Sequence, residues 1–194
     1  INTDKVFGFV KELRKYTDIP IGLLTYYNLV YQRGVEKFYK DAKNAGVNSI
    51  LIADMPIEES NKIIAEAKNN KIETVFMISP LTYNNRIKKI AKNTNGFIYV
   101  VSRLGTTGAK SDLQKSTLIL IKRIRKVTDK PVCVGFGISK PLHVKNVIKA
   151  GADGVIIGSA IVDLIAKNIK NKEKMLNEIY YYINDLKKAT KSFT

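Results

Sequence analysis

The chain has 194 residues, 45% of them hydrophobic, enough to bury one substantial core, and no composition shift marks a second domain. No apolar run reaches the ~20 residues that span a bilayer, and the start INTDKVFGF lacks the basic-then-apolar order of a secretory signal, so a soluble, cytoplasmic protein is expected. The 33 Lys and Arg against 17 Asp and Glu give a charge of +16, but these are scattered over successive helices without a nucleic-acid signature, which makes a solvated basic surface the default reading.

Asn2-Thr3-Asp4 caps a helix whose apolar positions Val6, Phe9, Val10 and Leu13 recur at helical spacing, ending near Thr17. Residues 20–26 read as a buried strand. A loop with Tyr27 and Asn28 follows, then a helix bearing Val35, Phe38, Tyr39 and Ala42 that Gly46 closes. Residues 49–53 form the next strand, and Asp54-Met55-Pro56 leaves its C-terminal end. Glu58 and Glu59 open a helix with Ile63, Ile64 and Ala67, where acidic residues suit the positive end of the dipole. Residues 74–78 make a strand ended by Ser79-Pro80, then come a helix with Ile87, Ile90 and Ala91 and a strand at 97–101. The loop 102–109 has two glycines, two threonines and no core residue, and is expected to be mobile. A helix over 112–127 carries the stripe Leu118, Ile121, Ile124 and Val127, and after residue 160 two more helices run over 161–169 and 175–186, the last with Leu176, Ile179 and Ile183.

Residues 131–160, PVCVGFGISKPLHVKNVIKAGADGVIIGSA, read as strand, glycine turn, helix, strand, glycine turn. The runs at 132–134 and 154–157 suit strands buried on both faces of a parallel sheet. Glycine turns let backbone N–H groups approach an anion, and a helix starting after Ser159 points its positive end there. A single GxG is weak evidence; a second turn one helix later shifts the weight towards phosphate. Strict alternation of short apolar strands with helices implies parallel pairing and right-handed crossovers. Six strands fit a doubly wound sheet, whereas a (β/α)8 barrel of ~250 residues needs eight. A missing N-terminal portion supplying two strands and a helix would account for the Ile1 start, the length and the strand count together.

Five stretches then carry a resemblance: Pro20-Ile21-Gly22-Leu23-Leu24 with Tyr26 and Asn28; Ala53-Asp54-Met55-Pro56 with Glu58-Glu59-Ser60; Ser102-Arg103 with Gly105, Thr107, Gly108 and Ala109; Gly135-Phe136-Gly137-Ile138-Ser139; and Gly158-Ser159-Ala160-Ile161-Val162. In this order and spacing they resemble the tryptophan synthase alpha chain family, although the fourth and fifth alone recur in other phosphate-binding barrels. The resemblance implies one α/β domain over 1–194, a (β/α)8 TIM barrel lacking its first two strands, with about six βα units present. It implies retro-aldol cleavage of indole-3-glycerol phosphate to indole and glyceraldehyde 3-phosphate, without metal or organic cofactor, in an alpha2-beta2 complex with a beta chain. Gly108, Gly137, Gly158 and Ser159 would hold the phosphate. Leu24, Tyr26, Tyr99 and Ile156 would line the indole and glycerol region, with Phe136 nearby, and Thr107 would support a catalytic carboxylate. Asn28, Asp54 and Pro56 would face the beta chain. The family's glutamate and aspartate near the first two strands have no counterpart here, so no lyase activity is expected of these residues alone.

Rival readings are another phosphate-binding barrel, such as an indole-3-glycerol-phosphate synthase or a sugar-phosphate aldolase or epimerase, a non-catalytic basic binding module, or a surface serving only to bind the beta chain. An aldolase would want a Schiff-base lysine in a strand, and the predicted strand interiors hold none. Cys133 is expected to be a buried structural thiol, His143 a surface or helix-side residue, and Tyr180, Tyr181 and Tyr182 packing and rim. Arg103 divides evenly between the phosphate and the loop. Strand 20–26 is expected to expose an unpaired edge.

Overall fold

The computed structural model describes residues 2–101 and 115–191. Its elements alternate: α1 (Thr3–Leu13), β1 (Gly22–Thr25), α2 (Tyr27–Arg33), α3 (Val35–Ala45), β2 (Ser49–Ile52), α4 (Asn61–Asn69), β3 (Glu73–Ile78), α5 (Asn84–Asn93), β4 (Ile98–Val101), α6 (Lys115–Arg125), β5 (Val132–Gly135), α7 (Pro141–Lys149), β6 (Gly154–Val155), α8 (Ser159–Lys167) and α9 (Lys172–Thr190). Strand order follows chain order from β1 to β6. The chain divides into two compact units, the first Ile1–Met77 with Lys89–Ile98, the second Ile78–Lys88 with Tyr99–Thr194.

In the first unit β1, β2 and β3 pair in parallel, and β2 is buried along its length. Asn2 caps α1 by accepting the Lys5 N–H at 3.0 Å. The buried face of α1 is Phe7 and Val10, three apart, while Phe9 points away and is 64% exposed, correcting the expected stripe. Phe7 meets Phe38 edge-on at 5.4 Å, and Arg33 lies over the Phe7 ring. Strand β1 is not buried: at the edge of the sheet its residues alternate between exposed and half-buried. The expected loop at Tyr27 and Asn28 is instead α2. Its first N–H donates to Asp54 Oδ1 at 2.7 Å, a cap supplied from a distant loop that local propensity could not reveal. Glu58 and Glu59 sit in the turn before α4, whose first turn holds no acid; Glu58 pairs with Lys89 at 3.8 Å.

In the second unit β5 pairs in parallel with β6. Val132 and Val134 are buried, but Cys133 is half-buried and β6 is only two residues long, both half-buried, so two-sided burial holds for part of β5 alone. The face α6 buries is Thr117, Leu120, Ile121 and Ile124, one step round from the expected stripe, with Leu118 and Val127 half-buried. Helix α9 buries Leu186 and Ala189, while Leu176 and Ile183 of its predicted stripe are exposed. His143 is buried at 6% exposure, not a surface residue.

Each unit contains the same clamp at the N-terminal ends of its strands. In the first, Arg14 Nε donates to the Gly46 carbonyl at 2.9 Å and Nη1 to Ile19 O at 2.6 Å, while Nη2 meets Asn48 Oδ1, which also accepts the Ile21 N–H at 2.8 Å. In the second, Arg125 Nε donates to Gly151 O at 2.6 Å and Nη1 to Lys130 O at 2.7 Å, while Nη2 pairs with Asp153 Oδ2, which accepts the Val132 N–H at 2.7 Å. Gly46 (φ 93°) and Gly151 (φ 107°) are both left-handed where a helix ends. The sequence carries this repeat as Arg14-Lys15-Tyr16-Thr17-Asp18-Ile19-Pro20 against Arg125-Lys126-Val127-Thr128-Asp129-Lys130-Pro131.

Candidate functional site

The register of β5 and β6, Cys133 opposite Gly154 and Val134 opposite Val155, sends both following turns from the same end of one strand pair. In the first turn Phe136 (φ 65°) and Gly137 (φ 74°) are left-handed. For phenylalanine this costs about 1–2 kcal/mol, so its surroundings must hold it there. Its ring stands edge-on to Tyr99 of β4, centroids 6.2 Å apart. Tyr99 is buried, and burial raises its hydroxyl pKa above the ordinary value. A Cβ on Gly135 would collide with that hydroxyl, so the first glycine of the turn makes room for Tyr99.

The second turn differs. A Cβ on Gly158 would meet nothing within 4 Å. Gly158 is the N-cap of α8 and makes no side-chain cap hydrogen bond; it and Ser159 are exposed. The first N–H groups of a helix have no intrahelical partner and carry the positive end of its dipole, so this end can take an anion. Ile156, half-buried between strand and turn, donates its N–H to Val134 O at 2.8 Å. The structure therefore gathers Tyr99, Phe136, Gly137, Ile156, Gly158 and Ser159 in the second unit.

Leu24 and Tyr26 belong to the first unit and are 62% and 60% exposed, so Tyr26 does not end a buried strand. Leu24 lines a groove of about 150 Å³ with Phe7, Leu23, Leu29 and Phe38. Asn28 and Asp54 are exposed and Pro56 is half-buried, on two segments joined by the Tyr27–Asp54 hydrogen bond. Arg103, Thr107 and Gly108 lie outside the described residues.

The family model for the tryptophan synthase alpha chain matches residues 1–191. The chain belongs to the tryptophan synthase alpha chain family. Among its relatives, the alpha chain of Methanoregula boonei is 45% identical over 186 residues, covering 96% of this chain and 70% of the relative. The alpha chain of Arabidopsis thaliana is 40% identical over 188 residues, covering 97% and 68%. A structure of the tryptophan synthase a2b2 complex from Pyrococcus furiosus superposes with a TM-score of 0.88 at 36% identity, covering 96% of this chain and 74% of that one. Membership of the tryptophan synthase alpha chain family sets the fold class as a (β/α)8 barrel, of which the described residues hold six strands. It also places the chain among lyases of tryptophan biosynthesis and does not favour the rival barrels. Among the described residues no helix is long and apolar enough to cross a membrane.

Two side chains behind the first turn escape sequence reasoning. His143 Nδ1 accepts the Ser139 N–H at 3.4 Å, and the Tyr182 hydroxyl donates to Ser139 O at 3.0 Å. Burial raises the Tyr182 pKa above its ordinary value. No local motif announces the Tyr182 contact, which forms only when α9 packs against α7; the His143 contact spans four residues, and a polar side chain in the first turn of α7 was the signal that could have found it. Cys133 is half-buried in β5 opposite Gly154; burial, then Asp153, push its thiol up to about 11 against the opposing pull of Arg125, so it is a poor nucleophile at neutral pH.

Proposed function

We infer that this chain acts in the cytoplasm in cleavage of indole-3-glycerol phosphate to indole and glyceraldehyde 3-phosphate, as the alpha subunit of an alpha2-beta2 assembly whose beta chain takes the indole. The observation that carries this reading is the pair of turns leaving the same end of β5 and β6, found in a chain 45% identical to an alpha chain. Backbone N–H groups at Gly137 and Gly158, with the Ser159 hydroxyl, bind the phosphate, and Gly108 joins them. The α8 dipole adds favourable potential without needing a lysine. Tyr99, Phe136 and Ile156 bound the organic part of the substrate; Leu24 and Tyr26 are substrate-binding residues by family resemblance. Asn28, Asp54 and Pro56 face the beta chain.

Breaking the carbon–carbon bond requires a proton at the indole ring and stabilisation of the charge that develops on its nitrogen. None of these substrate-binding residues is a carboxylate. Asp54 is occupied in capping α2, and Glu58 pairs with Lys89. These 194 residues thus carry the phosphate-binding half of the site, with Thr107 in a supporting role, and release no indole by themselves. An indole-release assay on this chain, with and without the beta chain, tests the reading. No turnover together with millimolar or tighter binding of glycerol phosphate is expected; turnover by the chain alone would overturn the assignment of the acid pair, and absence of phosphate binding would overturn the site.

A further inference from the structure

We propose that His143 and Tyr182 are positioning residues for the phosphate-binding turn, holding Ser139 from two sides so that Phe136 and Gly137 keep their left-handed conformation; this rests on the phosphate reading of the site. The Ser139 N–H, donated to His143, belongs to the peptide before that residue, and its carbonyl, bonded to Tyr182, to the peptide after it. Two successive peptide planes are therefore fixed just beyond Gly137, while the intervening Ile138, 4% exposed, is pegged into the core. On its other side the turn is held by the Tyr99–Phe136 ring contact. A left-handed phenylalanine persists only where its neighbours over-determine it, and these contacts supply that constraint.

For His143 Nδ1 to accept, the imidazole must be neutral with its proton on Nε2. His143 is the third residue of α7, so a bland alternative is a displaced capping box that stabilises the helix and nothing else. Tyr182 argues for more than a cap. It comes from a different helix, α9, and its neighbours Tyr180 and Tyr181 are 63% and 67% exposed while it alone of the three reaches Ser139. The C-terminal helix is thereby tied to the turn, and the anion site depends on a side chain more than forty residues away in sequence.

The test titrates glycerol 3-phosphate and inorganic phosphate into the full chain and into Tyr182→Phe, His143→Leu and His143→Gln, with thermal unfolding measured on each. Tyr182→Phe and His143→Leu are each expected to weaken phosphate binding roughly two- to tenfold, as loss of one hydrogen bond predicts. His143→Gln, which keeps an acceptor, is expected to recover most of the affinity. Because His143 is the only histidine in the chain, nitrogen NMR reads its tautomer directly. Affinities unchanged in both Tyr182→Phe and His143→Leu would overturn the proposal and leave a helix cap. A tautomer protonated on Nδ1 would overturn it independently of any ligand. If the unaltered chain binds neither probe, the phosphate reading itself falls, and the proposal with it.

Discussion

The Arg14 clamp of the first unit and the Arg125 clamp of the second solve one problem with different chemistry. In both, an arginine at a helix end bonds the carbonyl of a left-handed glycine and that of the residue before a proline, and a short polar side chain accepts the amide of the residue after that proline. The first uses neutral Asn48; the second uses Asp153 and makes an ion pair of it. Backbone geometry is thus fixed by where acceptors stand, while sensitivity to solution conditions is set by their charge. The clamps sit at the N-terminal ends of strands, the end whose residues serve stability in barrel folds; the glycine turns and their strained phenylalanine sit at the other.

The largest expected effect separates the two glycines. A Cβ on Gly46 would lie 2.8 Å from Arg14 Cγ, whereas on Gly151 the nearest atom, Arg125 Cγ, is 3.3 Å away. Both substitutions force alanine into left-handed backbone, at about 1–2 kcal/mol, but Gly46→Ala also displaces the clamp and is expected to cost about 3 kcal/mol in urea unfolding. Equal costs would mean that crowding by the arginine is irrelevant. Next comes Asp153→Asn, which keeps the acceptor for Val132 and removes the ion pair. With Asp153 about half exposed, a loss of ~1 kcal/mol is expected, shrinking in high salt. Unchanged salt dependence in that variant would show that the charge does nothing.

Acid should affect the first unit through Asp41, whose carboxylate is held below the usual range by hydrogen bonds from Lys37 and then Arg33. A depressed folded-state pKa contributes stability that is fully present above the ordinary 3.8 and lost as pH falls through the lower folded value. Unfolding at pH 7 and pH 3 should therefore differ less in Asp41→Asn than in the unaltered chain. The smallest effect is expected at Tyr39, fully buried in the first core, whose hydroxyl has no hydrogen-bond partner among the described residues. Tyr39→Phe should be neutral or slightly stabilising, since removing an unsatisfied buried hydroxyl removes a desolvation cost. A loss above about 1 kcal/mol would reveal a partner for that oxygen.

The element order is legible in the sequence, because short apolar runs punctuated by glycine and proline encode it locally. So are Asn2 as a cap, Gly46 as a helix end and the paired turns at 135–137 and 158–159. Sequence reasoning errs where one element's state depends on another. Tyr27 reads as loop because its cap, Asp54, is supplied across the fold. Strand 20–26 lies at the edge of the sheet, as expected, but its apolar composition overstates its burial, because an edge strand leaves alternate residues exposed. The arginine clamps have a sequence signature of their own in the repeat of Arg-Lys, Thr-Asp and Pro at matching intervals from Arg14 and from Arg125.

Strand-helix alternation, the family and the glycines able to approach an anion can all be read along the chain, since these depend on periodicity, motif spacing and side-chain size. Which glycine serves which purpose follows from packing. Gly135 makes room for Tyr99, a Cβ on Gly158 would meet nothing, and His143 and Tyr182 converge on Ser139. The reason is that hydrogen bonds and steric clearances depend on distances between residues far apart in the chain, and packing alone sets those distances.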